Sequence, residues 1–139
     1  MKTVLIAEDN PVNRELLREL LEMRGYAVIE TCNGQEAMEQ LQKARPDILL
    51  LDLNMPVLDG FETIEKIRKH PGFTTLPVLA VTAYAMRGDR DKILAAGFDG
   101  YLSKPIDPTF LQQELQRLLI KETHKQGSGA QVEAAGQGS

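Results

Sequence analysis

The sequence predicts an α/β fold in which a doubly wound, five-stranded parallel sheet is flanked by five helices. Short, unbroken apolar runs, typical of strands buried on both faces, alternate with segments whose apolar residues recur at helical spacing. Turn and helix-cap residues separate these segments. The chain has 139 residues, of which 42% are hydrophobic, and this suits one domain with a full core. Neither an internal repeat nor a second domain is evident.

The first strand and helix have the clearest signals. Residues 4–7 are an apolar run that ends in the acidic pair Glu8-Asp9. Asn10 then offers a helix N-cap and is followed by a proline, which suits the first helical position, while Gly25 suits the left-handed residue that ends a helix. The apolar stripe expected on this helix consists of Val12, Leu16, Leu20 and Met23, widened by Leu17 and Leu21.

The remaining elements alternate in the same way. Strands are expected at residues 26–30, 47–52, 76–82 and 98–103, and the first of these carries charge like an edge strand. Helices are expected between the Asn33-Gly34 turn and Arg45-Pro46, around residues 61–70, over residues 85–96, and after Asp107-Pro108. The helix over residues 85–96 is the weakest, because it contains Gly88 and few large apolar residues.

The folded domain is expected to span residues 1–122. Residues 123–139 are rich in Gly, Ser, Gln and Ala, which predicts a disordered polar tail. Within it, Gly127-Ser128-Gly129 is also typical of an artificial linker.

Composition excludes several classes of function. The net charge is -4 and no stripe of Lys and Arg stands out, which argues against a nucleic-acid-binding surface. No apolar run approaches the roughly 20 residues that span a membrane. The lone Cys32 forms no intrachain disulfide, which makes the cytoplasm the default location. One cysteine and two histidines disfavour a soft-metal site, whereas a carboxylate site for a hard cation stays open.

Polar residues follow four of the predicted strands. Residues 48–51 form an apolar run that ends in Asp52, and the other strand ends are Glu8-Asp9, Thr82 and Lys104. A buried carboxylate is costly, so Asp52 should lie where its strand surfaces. If the strands are parallel, all these side chains meet at the carboxyl edge of the sheet, where ligands bind in such folds.

This combination of groups suits phosphoryl transfer. Crowded carboxylates repel one another, and Lys104 supplies only one positive charge, so Mg²⁺ is the expected neutralising ion. Asp52 can then attack phosphorus, while Lys104 and the Thr82 hydroxyl contact the phosphoryl oxygens. Taken singly, each residue is more often a turn former, a cap or a surface residue. Their joint occurrence at four strand ends favours the functional interpretation.

The chain resembles the receiver domain of two-component response regulators, in particular the single-domain, chemotaxis-type receivers. The matching motifs are Glu8-Asp9-Asn10, the stretch from Asp52 to Pro56 with Asp59-Gly60, Thr82-Ala83, and Lys104-Pro105. The resemblance covers about residues 2–121 and implies a flavodoxin-like sheet in the strand order 2-1-3-4-5. It implies phosphorylation of Asp52 by a histidine kinase or histidine phosphotransfer protein. It also implies Mg²⁺ bound by Asp9, Asp52 and the backbone carbonyl of Asn54, with Glu8 acting largely through water.

The resemblance further implies a conformational switch. Thr82 would move toward the phosphoryl group, and Tyr101 would fill the space behind it. Because low local stability suits a switch element, the weak fourth helix is expected to move, and the output surface is expected to consist of the fourth helix, fifth strand and fifth helix. Slow autodephosphorylation would follow, with a lifetime tuned by Asn54 and Tyr84.

Several alternatives stay open at this point. The Met1 start and the polar tail favour a complete single-domain regulator, but a receiver from a larger hybrid kinase or multidomain regulator fits as well. A Mg²⁺-dependent phosphohydrolase and an interaction module without phosphorylation are the other classes. The phosphodonor is expected to dock near the first helix. A downstream protein is expected to bind at the output surface. The chain is expected to be a monomer or a weak dimer.

Overall fold

The computed structural model describes residues 1–83 and 89–127 of the chain, with side chains described as far as residue 120. Strands and helices alternate, as expected. The strands are β1 (Thr3–Ala7), β2 (Ala27–Thr31), β3 (Ile48–Asp52), β4 (Val78–Thr82) and β5 (Gly100–Ser103). The helices are α1 (Pro11–Met23), α2 (Gly34–Lys43), α3 (Gly60–Lys69), α4 (Asp89–Ala96) and α5 (Pro108–Gly127), with a 3-10 turn at Pro71–Phe73.

The five strands form one parallel sheet in the order β2-β1-β3-β4-β5, which confirms the expected topology. Its register aligns the carboxyl ends of the central strands. Ala7 pairs with Leu51, Asp52 with Val81, and Thr82 with Ser103. The residues that end or follow β1, β3, β4 and β5 are therefore neighbours at one edge.

The core lies on both faces of the sheet, because successive strand residues point to opposite sides. Leu49 and Leu51 face the side covered by α2, α3 and α4, together with Ile64 and Ile67 of α3. The alternate strand residues pack against α1 and α5 on the other face, in a cluster that includes Val4, Ile6, Ile48, Leu50, Leu111 and Leu115. This double coverage holds the polar edge in place.

The apolar stripe expected on α1 is partly wrong. Leu17 and Leu21 are buried, but Val12, Leu16 and Met23 are 73%, 45% and 79% exposed. Helix α1 has two overlapping apolar stripes, and helical spacing alone does not reveal which one faces the sheet. Here Leu17 and Leu21 pack on β1 and β3, so Val12, Leu16 and Met23 lie at the surface, while Leu20 is half-buried against the core.

Local signals at the helix ends are largely confirmed. The Asn10 side chain accepts hydrogen bonds from the backbone N–H groups of Val12 and Asn13, at 2.9 and 3.0 Å. Gly25 has a φ of +88°, the conformation expected after the end of α1. Asn33 has a larger role than a turn residue, because it caps α2 by accepting from the N–H of Glu36 at 2.8 Å.

Some boundaries differ from the predictions. Strands β2, β3, β4 and β5 begin one or two residues later than expected. Helix α5 continues to Gly127, beyond residue 122, where the polar tail was expected to begin. Residues 128–139 and the predicted start of the fourth helix, residues 85–88, lie outside the described residues. Among the helices described, none is both long and apolar enough to cross a bilayer.

Arg68, near the end of α3, connects several elements at the amino edge of the sheet. Its guanidinium donates hydrogen bonds to the carbonyls of Gly97, Phe73 and Leu76, at 2.9, 3.0 and 2.8 Å. It also pairs with the Asp99 carboxylate at 3.0 Å. One side chain therefore ties the carboxyl end of α4 to α3 and to the segments that enter β4 and β5.

Candidate functional site

The carboxyl edge of the sheet brings together the strand-end residues that the sequence predicted. Glu8 follows β1, Asp52 ends β3, Thr82 ends β4, and Lys104 follows β5. The Lys104 ammonium lies 3.0 Å from Glu8 Oε1 and 3.0 Å from Asp52 Oδ2. The Lys104 backbone N–H also donates to the Thr82 carbonyl at 2.8 Å. One cation is therefore shared by two carboxylates.

Asp52 is held from several directions and is only 2% exposed. Its Oδ1 accepts a hydrogen bond from the backbone N–H of Asn54 at 3.0 Å, while Oδ2 pairs with Lys104. The chain then turns so that the N–H of Gly60 donates to the Leu53 carbonyl at 3.1 Å. A Cβ atom on Gly60 would lie 2.7 Å from the Asp52 carbonyl oxygen, so only glycine allows this close approach.

Glu8 is the second buried carboxylate, with 1% of its surface exposed. Its Oε2 accepts from the backbone N–H of Asn10 at 3.2 Å. Its Oε1 lies within ion-pair distance of Lys104, but among the described residues it has no donor in hydrogen-bonding alignment. Burial, and then the neighbouring Asp52, raise the pKa of Glu8 to about 7.

Lys104 has the opposite balance of effects. Burial lowers the pKa of its ammonium, but the hydrogen bond to Asp52 and the nearby charges of Asp52 and Glu8 outweigh burial and raise it. Lys104 therefore stays protonated at neutral pH. The pKa of Glu8 is raised despite this ammonium, chiefly because Glu8 is buried.

The donor set fits a hard divalent cation. Glu8, Asp9 and Asp52 each offer one carboxylate oxygen, and these oxygens all lie within 4.8 Å of one another. Asp9 is exposed, so the cluster is open to solvent on one side. An oxygen-only set of few carboxylates, with room for water, is what Mg²⁺ prefers. The misaligned Glu8 Oε1 is consistent with a missing positive partner.

The predicted switch residues lie on the other side of Asp52. Thr82 is 2% exposed and lines a cavity of about 130 Å³ with Asn54, Phe61 and Lys92 among its neighbours. Tyr101 is half-buried in β5, where it pairs with Ala80 and packs against the core. Tyr84 lies outside the described residues.

A second cavity, of about 290 Å³, lies between α1 and the loop after β5. Its apolar lining is made by Leu16, Leu17, Val81, Pro105 and Ile106, and Glu8 and Lys104 also line it. The peptide bond before Pro105 is cis. The cavity links the polar site to the exposed stripe of α1.

Sequence reasoning missed two residues that support the site. Arg14 donates from its NH1 group to the Glu8 carbonyl at 2.9 Å. Gly60 permits the close approach to Asp52 described above. The Asp59-Gly60 pair was noted only as one of the matching motifs, and the helical position of Arg14 carried no signal of a contact with Glu8.

Comparisons with known proteins agree with this geometry. A family model described as response regulator receiver domain matches residues 4–116. The polar-differentiation response regulator DivK of Brucella anthropi is 41% identical over 112 residues, which cover 80% of this chain and 91% of that protein.

Solved structures are similar as well. The receiver domain of a Pseudomonas aeruginosa sensor histidine kinase, solved with a magnesium ion coordinated in its active-site cleft, is 37% identical, with a TM-score of 0.79. The match covers 85% of this chain and 97% of that one. The Vibrio cholerae chemotaxis response regulator CheY4 is 34% identical, with a TM-score of 0.79 over 85% of this chain and 98% of that one.

Proposed function

Because the chain belongs to the response regulator receiver family, we propose that it accepts a phosphoryl group on Asp52 in a Mg²⁺-dependent reaction. The observation that carries the proposal is the environment of Asp52. This buried carboxylate lies 3.0 Å from Lys104 and within 4.8 Å of the Glu8 and Asp9 oxygens. The phosphodonor would be a phosphohistidine of a histidine kinase or of a histidine phosphotransfer protein.

In the transfer step, an Asp52 oxygen attacks phosphorus. The bond from phosphorus to the donor's histidine nitrogen breaks, and its electron pair leaves with the imidazole. Lys104 and the Thr82 hydroxyl stabilise the charge on the phosphoryl oxygens. Asp9, Asp52 and the Asn54 carbonyl would hold Mg²⁺, with Glu8 acting through water, and the bound ion would neutralise charge on the transferred group.

Asp52 needs no general base for this reaction, because an ionised carboxylate is already a nucleophile. The Lys104 ammonium lies 3.0 Å from Asp52 Oδ2 and places a positive charge beside the attacking carboxylate. The N–H of Asn54 holds the other carboxylate oxygen, which leaves one defined orientation for attack. Hydrolysis of the aspartyl phosphate would be slow, with a lifetime set by Asn54 and Tyr84.

The phosphodonor would dock against α1 and the loop after β5. Val12 and Leu16 are exposed on α1, and the neighbouring cavity opens beside Lys104. An apolar surface next to the acceptor carboxylate suits a protein partner that must bring a histidine to Asp52.

The output would be a change at α4, β5 and α5. A phosphoryl group adds about two negative charges, and the Thr82 hydroxyl can bond to it. Movement of Thr82 toward the phosphoryl group would open space for the half-buried Tyr101 side chain. Helix α4 has one buried residue, Ile93, and such weak anchoring suits a switch element that binds a downstream protein.

Two settings for this domain are supported, a single-domain regulator and a receiver within a larger kinase, because DivK and a sensor-kinase receiver domain both match it over most of their length. A phosphohydrolase and a phosphorylation-independent interaction module are the competing classes. A phosphohydrolase would turn over many donor molecules per chain. An interaction module would bind its partner equally well without Asp52.

The proposal is tested by incubating the full chain with a small phosphodonor and Mg²⁺ and measuring its intact mass. One phosphoryl group per chain is expected, and none after addition of a chelator. Asp52→Ala should abolish the mass increase, whereas Asp91→Ala, which removes an exposed carboxylate on α4, should not. An increase that survives Asp52→Ala, or none in the wild-type chain, would refute the proposal.

A further inference from the structure

Arg14 lies in the first turns of α1 and contacts the backbone of the acidic pair. Its NH1 group donates to the Glu8 carbonyl at 2.9 Å, and its Nε lies 3.5 Å from Glu30 Oε1 on β2. The Arg14 side chain is 20% exposed. A side chain on α1 thus joins the end of β1 to the edge strand.

The contacted carbonyl belongs to the peptide unit that joins Glu8 to Asp9. Glu8 lies beyond the paired residues of β1, so its carbonyl is outside the regular ladder, although its N–H still donates to the Thr31 carbonyl at 3.1 Å. A peptide unit is planar and includes the Cα atoms on both sides of it. Holding its carbonyl therefore helps to fix the two Cα atoms to which the neighbouring side chains are attached. Glu8 and Asp9 are the two carboxylates placed by this unit.

Arg18 provides an internal comparison. Its Nε lies 3.3 Å from Glu30 Oε2, so it shares the partner of Arg14 and carries the same charge, one helical turn away. Arg18 pairs with the carboxylates of Glu15, Glu22 and Glu30, and none of these contacts reaches Glu8. Such partly exposed ion pairs contribute little to stability. The contact with Glu8 is therefore what distinguishes Arg14.

We infer that Arg14 is a positioning residue for the divalent-cation site. Through its hydrogen bond to the Glu8 carbonyl, it holds the Glu8 and Asp9 carboxylates in the orientation that binds the cation. This inference rests on the proposed function, because it requires the site to bind a divalent cation. A positioning role and a purely electrostatic role of Arg14 predict opposite changes in cation affinity when Arg14 is replaced. Removing a positive charge near the site should strengthen cation binding by Coulomb's law, whereas loss of positioning should weaken it.

The test is titration of the full chain with Mg²⁺ alone, followed by calorimetry or by amide NMR shifts. Arg14→Gln should raise the Kd for Mg²⁺ about tenfold, as is typical when a group that orients a metal ligand is removed. Arg14→Lys keeps the charge and should also weaken binding, since the fork that reaches both Glu8 and Glu30 is lost. Arg18→Gln, the matched control, should stay within about twofold because it lacks the Glu8 contact. Circular dichroism checks that each variant is folded. If Arg14→Gln does not fold, the Mg²⁺ affinity of Arg14→Lys decides whether Arg14 positions the site.

Two results would overturn the inference. If Arg14→Gln and Arg14→Lys bind Mg²⁺ as tightly as the wild-type chain or more tightly, Arg14 does not position the site, while the proposed function stands. If the wild-type chain itself does not bind Mg²⁺, both this inference and the metal dependence of the proposed function fail.

Discussion

Glu8 allows the electrostatics of the site to be tested through stability, without a phosphodonor. Burial and the Asp52 charge raise its pKa from 4.5 to about 7. The folded state therefore holds a proton at Glu8 over a pH range in which the unfolded chain has released it. By linkage, the stabilisation is fully present below pH 4.5 and is lost as the pH rises to about 7.

The size of the effect follows from the shift. Each pKa unit corresponds to about 1.4 kcal/mol, so the cation-free protein should lose on the order of 2 kcal/mol of unfolding free energy through Glu8 between about pH 5 and pH 8. Glu8→Gln cannot ionise and should lose correspondingly less over the same range. Glu19→Gln, on the exposed side of α1, should behave like the wild-type chain.

The assay is urea unfolding in the presence of a chelator, at several pH values in this range. Adding Mg²⁺ should restore stability at the upper end for the wild-type chain, because the cation binds the ionised carboxylates of the folded state. Equal pH dependence for wild type and Glu8→Gln would refute the reasoning, since Glu8 would then titrate as in the unfolded chain.

Three further predictions concern the frame around the site. Gly60→Ala should destabilise the chain by about 1–3 kcal/mol and slow labelling of Asp52, because its Cβ would contact the Asp52 carbonyl; unchanged urea unfolding and labelling would contradict this. Val57 has a φ of +70°, so Val57→Asn should raise the unfolding free energy by about 1 kcal/mol, and a decrease would argue against backbone strain. Leu21→Ala should cost about 2–5 kcal/mol in urea unfolding but Leu16→Ala less than about 1, since Leu21 is fully buried and Leu16 is 45% exposed; equal costs would contradict the observed orientation of α1.

The sequence was most informative where one residue type has few physical reasons to occupy its position. A carboxylate at the end of an apolar run, as at Asp52, must reach a polar edge, and the parallel sheet places Lys104 at that edge too. Both the fold and the convergence of these groups could therefore be predicted.

Other features depend on information that local patterns do not contain. The orientation of α1 required a choice between two overlapping stripes, which packing against β1 and β3 makes. The contact of Arg14 with a backbone carbonyl has no sequence signature, because every residue has a carbonyl. The close packing of Gly60 is not evident from the Asp59-Gly60 motif alone, since it depends on where the chain returns beneath Asp52.

The hydrogen bonds of Arg68 have a mechanical consequence for α4. They hold the Gly97 carbonyl, just beyond the end of α4, against α3 and the segment before β4. Because α4 is held at this end, it moves mainly by rotating about it, and the displacement of its residues grows with their distance from Gly97. The opposite end of α4, at Asp89, lines the cavity next to Thr82. If Thr82 shifts as proposed and the shift is transmitted across this cavity, it would act on α4 at the end farthest from the pivot at Gly97, where the least force turns the helix.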